Sequence, residues 1–197
     1  MTIPSHNFGA VLFLSELGLQ IHLFQRSVRR LERAAVHWKQ MEAGIDDGDT
    51  APPLEIVADC TVCLSSLAAV RRVLRPNSSA PAKAKRRATA IDDLLGQPPL
   101  TNVTAVSVRN SWEHLDDRLD DWLGTRTPGT GSITEIHVSC HPPSPSTTVL
   151  RRFDPVHFAI HFGGAVVSLS SCIVEMNDLQ SRIDQAYVRL RTEKVDV

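Results

Sequence analysis

The chain has 197 residues, 42% of them hydrophobic and 22% charged, which suits one ordinary globular core and excludes a wholly disordered polymer. Twenty-one Lys and Arg face 22 Asp and Glu, a net charge of -1. That balance excludes a globally basic nucleic-acid coat protein but not a local basic patch.

The apolar start from Phe8 to Phe24 is interrupted by Glu16 and His22. It reads as too short and too polar to cross a bilayer, and no Lys or Arg precedes it as a signal peptide requires. Four cysteines form no disulfide framework in a chain of this length. The expectation is a soluble cytoplasmic protein without membrane contact.

Apolar residues at alternating three- and four-residue spacing dominate the pattern. Leu14, Leu17, Ile21, Phe24, Val28, Leu31, Ala35 and Trp38 make one stripe and predict a helix over 8–42, closed by Gly44 and Gly48. Ile56, Cys60, Cys63, Leu67, Val70 and Leu74 predict a second over 54–75, ended by Pro76. After a Pro/Ser-rich linker, Ala84, Ala88, Ile91 and Leu95 predict a third over 83–95. Val108, Trp112, Leu115, Leu119 and Trp122 predict a fourth over 102–123. The period then changes to two. Ile136, Val138 and Cys140 read as one strand, Val156 to Phe162 as a second, and Ala165 to Leu169 as its return after a Gly163-Gly164 turn. Cys172, Met176, Leu179, Ile183, Ala186 and Leu190 predict a closing helix over 170–192. The fold class expected is mainly α: one domain over 1–197, an up-and-down bundle of four to five helices, with a small antiparallel hairpin or meander at 133–169 before the last helix.

Cys60 and Cys63 have the spacing of a metal or redox pair, but both fall on a core stripe, so they and Cys172 read as buried inert thiols. A metal site would draw on His137, Cys140, His141, His157 or His161. No further ligand completes a set at a recognised spacing, and alternation places His157 and His161 on the polar face of a strand. No cofactor is expected. The sequence contains no Gly-rich phosphate loop, nucleophile elbow or His-Glu-x-x-His helix, which removes the common NTPases, α/β-hydrolases and zincins.

One pattern carries chemistry: Arg109-Asn110-Ser111-Trp112-Glu113-His114, an arginine, a polar residue, three residues and a histidine on the predicted fourth helix. This resembles the motif of the HEPN superfamily, helical-bundle proteins many of which are ribonucleases of toxin–antitoxin and phage-defence systems. The resemblance covers about 8–123 and 170–192; the 124–169 segment is not something that family requires. Arg152 and His157 share the spacing, but Phe153 stands at the polar position and Pro155 bars a helix. The resemblance implies a metal-independent endoribonuclease acting as a homodimer, with Arg109, Asn110 and His114 in a cleft built from both subunits, RNA as substrate, and an antitoxin or neighbouring gene product as partner.

The side-chain chemistry agrees with that role. Asn110 and His114 lie about 40° apart in helical projection, away from the apolar stripe, whereas Arg109 is about 140° from His114. A second copy of the helix removes that separation. His114 suits proton transfer near neutrality, and Arg109 offers a planar fork for phosphate oxygens. Glu113, Asp117 and Asp121 work against this, since they repel RNA unless paired. Arg109 and Glu113 are also i,i+4 neighbours, the pattern of an ordinary solvated face. The second expectation is therefore a non-catalytic HEPN-like module that binds a protein partner.

Residues 71–87 hold Arg71, Arg72, Arg75, Lys83, Lys85, Arg86 and Arg87, a third of the basic charge, and no acid. They read as an RNA-tracking arm, or otherwise as a solvated helix end that complements the dipole.

Overall fold

The structure, a computed structural model, describes residues 7–45, 53–104, 132–139, 147–162 and 165–192. The chain is mainly helical, with a small four-stranded sheet before the last helix. The order is α1 (Phe8–Glu42), α2 (Pro53–Leu74), α3 (Ala82–Leu94), β1 (Ser132–Val138), β2 (Thr147–Asp154), β3 (Ala159–Phe162), β4 (Ala165–Ser168) and α4 (Leu169–Arg189). These helices begin within one residue of the positions read from the apolar period. The fourth expected helix, 102–123, lies outside the described residues beyond its opening turn at 101–104.

Two helix ends show why the stops were legible. At the end of α1, Ile45 N–H donates to Gln40 O at 2.9 Å and Gly44 N–H to Met41 O at 3.0 Å, with Gly44 at φ +77°. At the end of α3, Gln97 N–H reaches Asp92 O at 2.8 Å and Gly96 N–H reaches Asp93 O at 3.0 Å, with Gly96 at φ +68°. Both are Schellman closures, which need the left-handed conformation that glycine takes without steric cost.

The chain divides into two compact units. One comprises Met1–Gln25, Ser65–Thr104 and Ser171–Val197; the other comprises Arg26–Leu64 and Ala105–Ser170. In the first, the stripe residues Leu14, Leu17, Ile21 and Phe24 of α1 are fully buried, as are Val70 of α2, Ile91 of α3, and Cys172, Met176 and Leu179 of α4. Each such aliphatic or aromatic side chain contributes about 1.5–3 kcal/mol by leaving water. Polar hooks fasten the same helices. Ser15 and Tyr187 hydroxyls meet at 2.9 Å, Gln25 donates to Asn177 at 3.0 Å, and buried Asn7 donates to Leu190 O at 2.7 Å.

In the second unit the sheet order is β1-β2-β3-β4. The alternation after residue 132 correctly indicated strands, but two expectations are corrected. Thr147–Asp154 is a strand that the period did not reveal, and β1 pairs with β2 in parallel, so the sheet is not a purely antiparallel meander. Alternation reports which face a side chain takes, whereas strand direction depends on the path of the connection. The Val156–Phe162 strand is also shorter than expected: residues 155–158 form a turn, and β3 begins at Ala159. The antiparallel β3–β4 pair, with Phe162 opposite Ala165, agrees with a hairpin at Gly163-Gly164. Phe153, Ile160, Phe162 and Val167 are buried.

By length and composition, α1 and α2 each hold an 18-residue window apolar enough to cross a membrane, with mean hydropathies of 1.3 and 1.6. The window in α1 lies at its N-terminal end, before the charges that begin at Arg26, so the expectation that the apolar start is too short and too polar to cross a bilayer is corrected. A mostly buried core helix and an N-terminal signal sequence satisfy the same criterion, and 28% of the α1 window and 56% of the α2 window is buried.

α3 carries its charge against its dipole. Lys83, Lys85 and Arg86 lie near its N-terminus and Asp92 and Asp93 near its C-terminus. Two arginines of α4 offset this. Arg182 Nη1 donates to Leu95 O at 3.1 Å and Gly96 O at 3.0 Å, and Arg189 Nη2 donates to Leu94 O. Arg182→Ala should lower the stability of the protein by about 1–3 kcal/mol in urea unfolding, because three charge-assisted hydrogen bonds, including the one to Asp178, are lost together.

Candidate functional site

Arg109, Asn110 and His114 lie outside the described residues, as do Trp112, Cys140 and His141. What the structure does describe is the turn on which the expected fourth helix begins. Thr104 N–H donates to Leu100 O at 3.0 Å, one helical turn. Glu175 of α4 then acts as its cap: its carboxylate accepts Asn102 N–H at 2.9 and 3.0 Å, Val103 N–H at 2.9 Å and Asn102 Nδ2 at 2.6 Å. A carboxylate taking the backbone N–H groups of this turn satisfies donors that the turn itself leaves unpaired.

The seven cations of the basic segment have different fates. Arg75 is committed to structure: it pairs with Asp92 and donates to Leu74 O at 3.0 Å and Pro98 O at 3.4 Å. Arg87 is half-buried, with its guanidinium 4.6 Å from the centre of the Phe13 ring. Lys85 closes the α2–α3 connection by donating to Ser78 O. Arg72, Lys83 and Arg86 are exposed, and Arg71 is partly so. Arg71 and Arg75 border an open cleft of about 620 Å³ whose other walls include Asn77, Ser78, Thr101 and Thr104. The arm is therefore a folded corner rather than a free linker, with Arg71, Arg72, Lys83 and Arg86 turned toward solvent and the other three spent on holding the corner together.

The thiols are as the stripes implied. Cys60, Cys63 and Cys172 are buried thiols that form no disulfide. Burial, reinforced by neighbouring Asp59, pushes the Cys60 thiol far above its usual range. Burial and then Glu175 push Cys172 up to about 12. Such thiols are poor nucleophiles and poor metal ligands. Among the described residues no group of three His, Cys, Asp or Glu side chains is arranged to hold a metal ion.

The sheet holds a polar cluster whose histidines sequence reasoning named but whose Arg152 and Asp154 it did not place beside them. In the register, His137 of β1 stands opposite Arg152 of β2, and Arg152 opposite His161 of β3, so these three share one face in a row across three strands. Arg152 Nη2 is 2.9 Å from His161 Nδ1 and 3.1 Å from its Nε2. Next along β2 on the same face is Asp154, whose side chain is 3% exposed. Its Oδ1 accepts Val156 N–H at 3.0 Å and His157 N–H at 2.9 Å; its Oδ2 faces His157 Nδ1 at 2.9 Å and His161 Nε2 at 3.9 Å. His157 belongs to this turn and not to the β3 face that alternation assigned it. The turn ends at Phe158, held at φ +49° and packed edge-on against Phe153 at 5.8 Å. A bulky residue in that region is strained, and here the Asp154 hydrogen bonds and the ring contact hold it there. The signal in the sequence was Asp154-Pro155, a turn-initiating pair placing a carboxylate two and three residues ahead of the amides it accepts.

The electrostatics follow from this packing. Burial and then the Arg152 charge lower the pKa values of His137 and His161 below 6.5, and for His161 the Asp154 carboxylate opposes the shift. Burial pushes the Asp154 carboxyl up, but the two backbone N–H groups and His157 together bring it below its ordinary 3.8.

Comparison of the chain with protein-family models, with curated proteins and with solved structures gives no match.

Two measurements check this description. Thiol labelling of the native protein, mapped by mass spectrometry, should leave Cys60, Cys63 and Cys172 unmodified until denaturant is added. Stability should also fall as the pH drops. His137 and His161 bind protons less readily when folded, so their contribution is full above pH 6.5 and is lost as pH falls through their lower folded values. Asp154 contributes above 3.8 and loses that contribution as pH falls through its depressed value. The urea midpoint should therefore decrease from about pH 7.5 to pH 5, and His161→Gln should flatten that decrease.

Proposed function

We propose that this chain is a HEPN-type endoribonuclease that needs no metal ion, a cytoplasmic up-and-down bundle of four to five helices working as a homodimer in a toxin or defence setting. The observation that carries the reading is the Arg109-Asn110-x3-His114 pattern with its helical apolar stripe. Two further observations support it. The chain is mainly helical, and exposed Arg72, Lys83 and Arg86 with partly exposed Arg71 offer a phosphate-tracking surface.

In this mechanism His114 takes the proton of a ribose 2′-hydroxyl. The 2′-oxygen then attacks the adjacent phosphorus, the bond to the 5′-oxygen breaks, and that oxygen leaves with a proton from solvent. Arg109 holds the non-bridging oxygens while charge builds on them, and Asn110 orients the phosphate. The product is a 2′,3′-cyclic phosphate.

A second reading, a non-catalytic HEPN-like module that binds an antitoxin or a neighbouring gene product, is favoured by one surface feature. Phe8, Leu12 and Leu19 are 61%, 55% and 51% exposed on α1, large side chains that a protein partner would cover.

Incubation of the purified protein with RNA separates the two readings. Cleavage should persist in a chelator, and His114→Ala should slow it by about 100-fold or more. Arg71→Gln and Arg72→Gln should weaken substrate binding and flatten its salt dependence. A His114→Ala protein as active as the parent rejects the catalytic assignment, whereas a stable complex with no cleavage by the parent supports the binding module.

A further inference from the structure

We infer that the cleft at the corner between α2 and α3 holds one ribonucleotide, with its phosphate on Arg71, its sugar hydroxyls on the polar rim of Asn77, Ser78 and Thr101, and its base against Pro99. Only the choice of RNA as the source of that nucleotide rests on the ribonuclease reading.

Every wall of the cleft belongs to one compact unit. The end of α2 supplies Arg71, the connection to α3 supplies Asn77 and Ser78, and the segment after α3 supplies Pro98, Pro99 and Thr101. These walls are fixed from behind. Arg75 donates to Leu74 O on one side and to Pro98 O on the other, Lys85 donates to Ser78 O, and Glu175 accepts the N–H groups of Asn102 and Val103. A ligand that enters such a cleft has little further chain to order, so few of its contacts are offset by lost entropy.

The polar groups left over define what fits. Among the described residues that line the cleft none is acidic. Of its two arginines, Arg75 is neutralised by Asp92, whereas the Arg71 side chain makes no ion pair or hydrogen bond among the described residues. An unneutralised guanidinium is a planar fork for phosphate oxygens, and it repels a cation. Asn77, Ser78 and Thr101 are exposed, and their side chains likewise make no hydrogen bond among the described residues. Thr104 gives its hydroxyl proton to Leu100 O at 2.6 Å, which leaves its oxygen as an acceptor. A rim that both donates and accepts matches hydroxyl groups, which do the same. Exposed Pro99 beside buried Pro98 and Leu100 adds an apolar wall, and the volume of about 620 Å³ lies within the usual range of small-molecule clefts. A nucleotide carries all three matching parts: an anion, hydroxyls and a flat apolar ring.

The test is a calorimetric titration of the full chain with adenosine 5′-monophosphate, which has no internucleotide bond to cleave. Binding should saturate at one site per chain and be tighter than that of inorganic phosphate or of adenosine. Arg71→Gln should weaken it about tenfold or more. Thr101→Val, at an exposed position, should weaken it by a smaller factor and carries the test if the Arg71 variant fails to fold. Arg33→Gln, which removes an exposed charge of α1 outside the cleft, should leave it unchanged. A short RNA oligomer, added to the His114→Ala chain so that it stays intact, identifies the source: binding tighter than that of the monophosphate and weakened by Arg71→Gln marks a strand, and equal binding marks the free nucleotide. Saturable binding by a chain that cleaves no RNA leaves the cleft assigned and removes only the catalytic reading. No saturable binding, equal affinity for the monophosphate and inorganic phosphate, or an Arg33→Gln effect as large as that of Arg71→Gln would overturn the proposal.

Discussion

The unit formed by Met1–Gln25, Ser65–Thr104 and Ser171–Val197 is organised by the last helix, because each of its segments is fastened to a different point on α4. One stripe of α4, from Cys172 through Met176, Leu179 and Ile183 to Ala186, continued by Leu190 just past its end, is 0–1% exposed. Polar side chains flank it. Glu175 takes the turn at 102–103, Asn177 takes Gln25, Arg182 and Arg189 take the end of α3, and Tyr187 takes Ser15. The apolar stripe supplies non-directional burial energy, and the flanking hydrogen bonds fix where along the helix each partner docks. α3 shows the consequence most plainly. Its charges oppose its own dipole, so it depends on arginines from an element about ninety residues away in sequence.

The sheet has a different internal logic. One face carries the buried Phe153, Ile160, Phe162 and Val167 together with Arg151; the other collects His137, Arg152, Asp154 and His161. Alternation alone produces this separation, yet the polar side is not a neutral solvated surface. The buried Asp154 carboxylate is satisfied by the Val156 and His157 N–H groups and by the His157 ring, and these bonds hold the strained turn at Phe158. That network is what distinguishes this face from the exposed polar sides of the helices, where Gln20–Glu16 and Gln180–Asp184 make ordinary i,i+4 hydrogen bonds.

Helices were legible because their determinants are local: a 3.6-residue apolar period and a glycine able to take positive φ at Gly44 and Gly96. The inertness of Cys60, Cys63 and Cys172 followed from the same stripes. The basic segment was legible as a count of charges but not as a surface. Nothing local announces that Arg75 will be spent on Asp92 or that Arg87 will lie over Phe13. For the motif at Arg109, Asn110 and His114, sequence remains the source of the assignment.

The Arg152–His157 pair marks the division between the two kinds of information. The spacing and Pro155 correctly excluded a helix there, and Asp154-Pro155 encoded a turn, so the sequence by itself determined the local backbone. Only the tertiary structure decided that His161 and His137 would stand beside Arg152, and that β1 would pair with β2 in parallel, because strand direction and register come from connections and long-range hydrogen bonds. Periodicity assigns each side chain a face. Which side chains meet on that face is settled only when the strands pair.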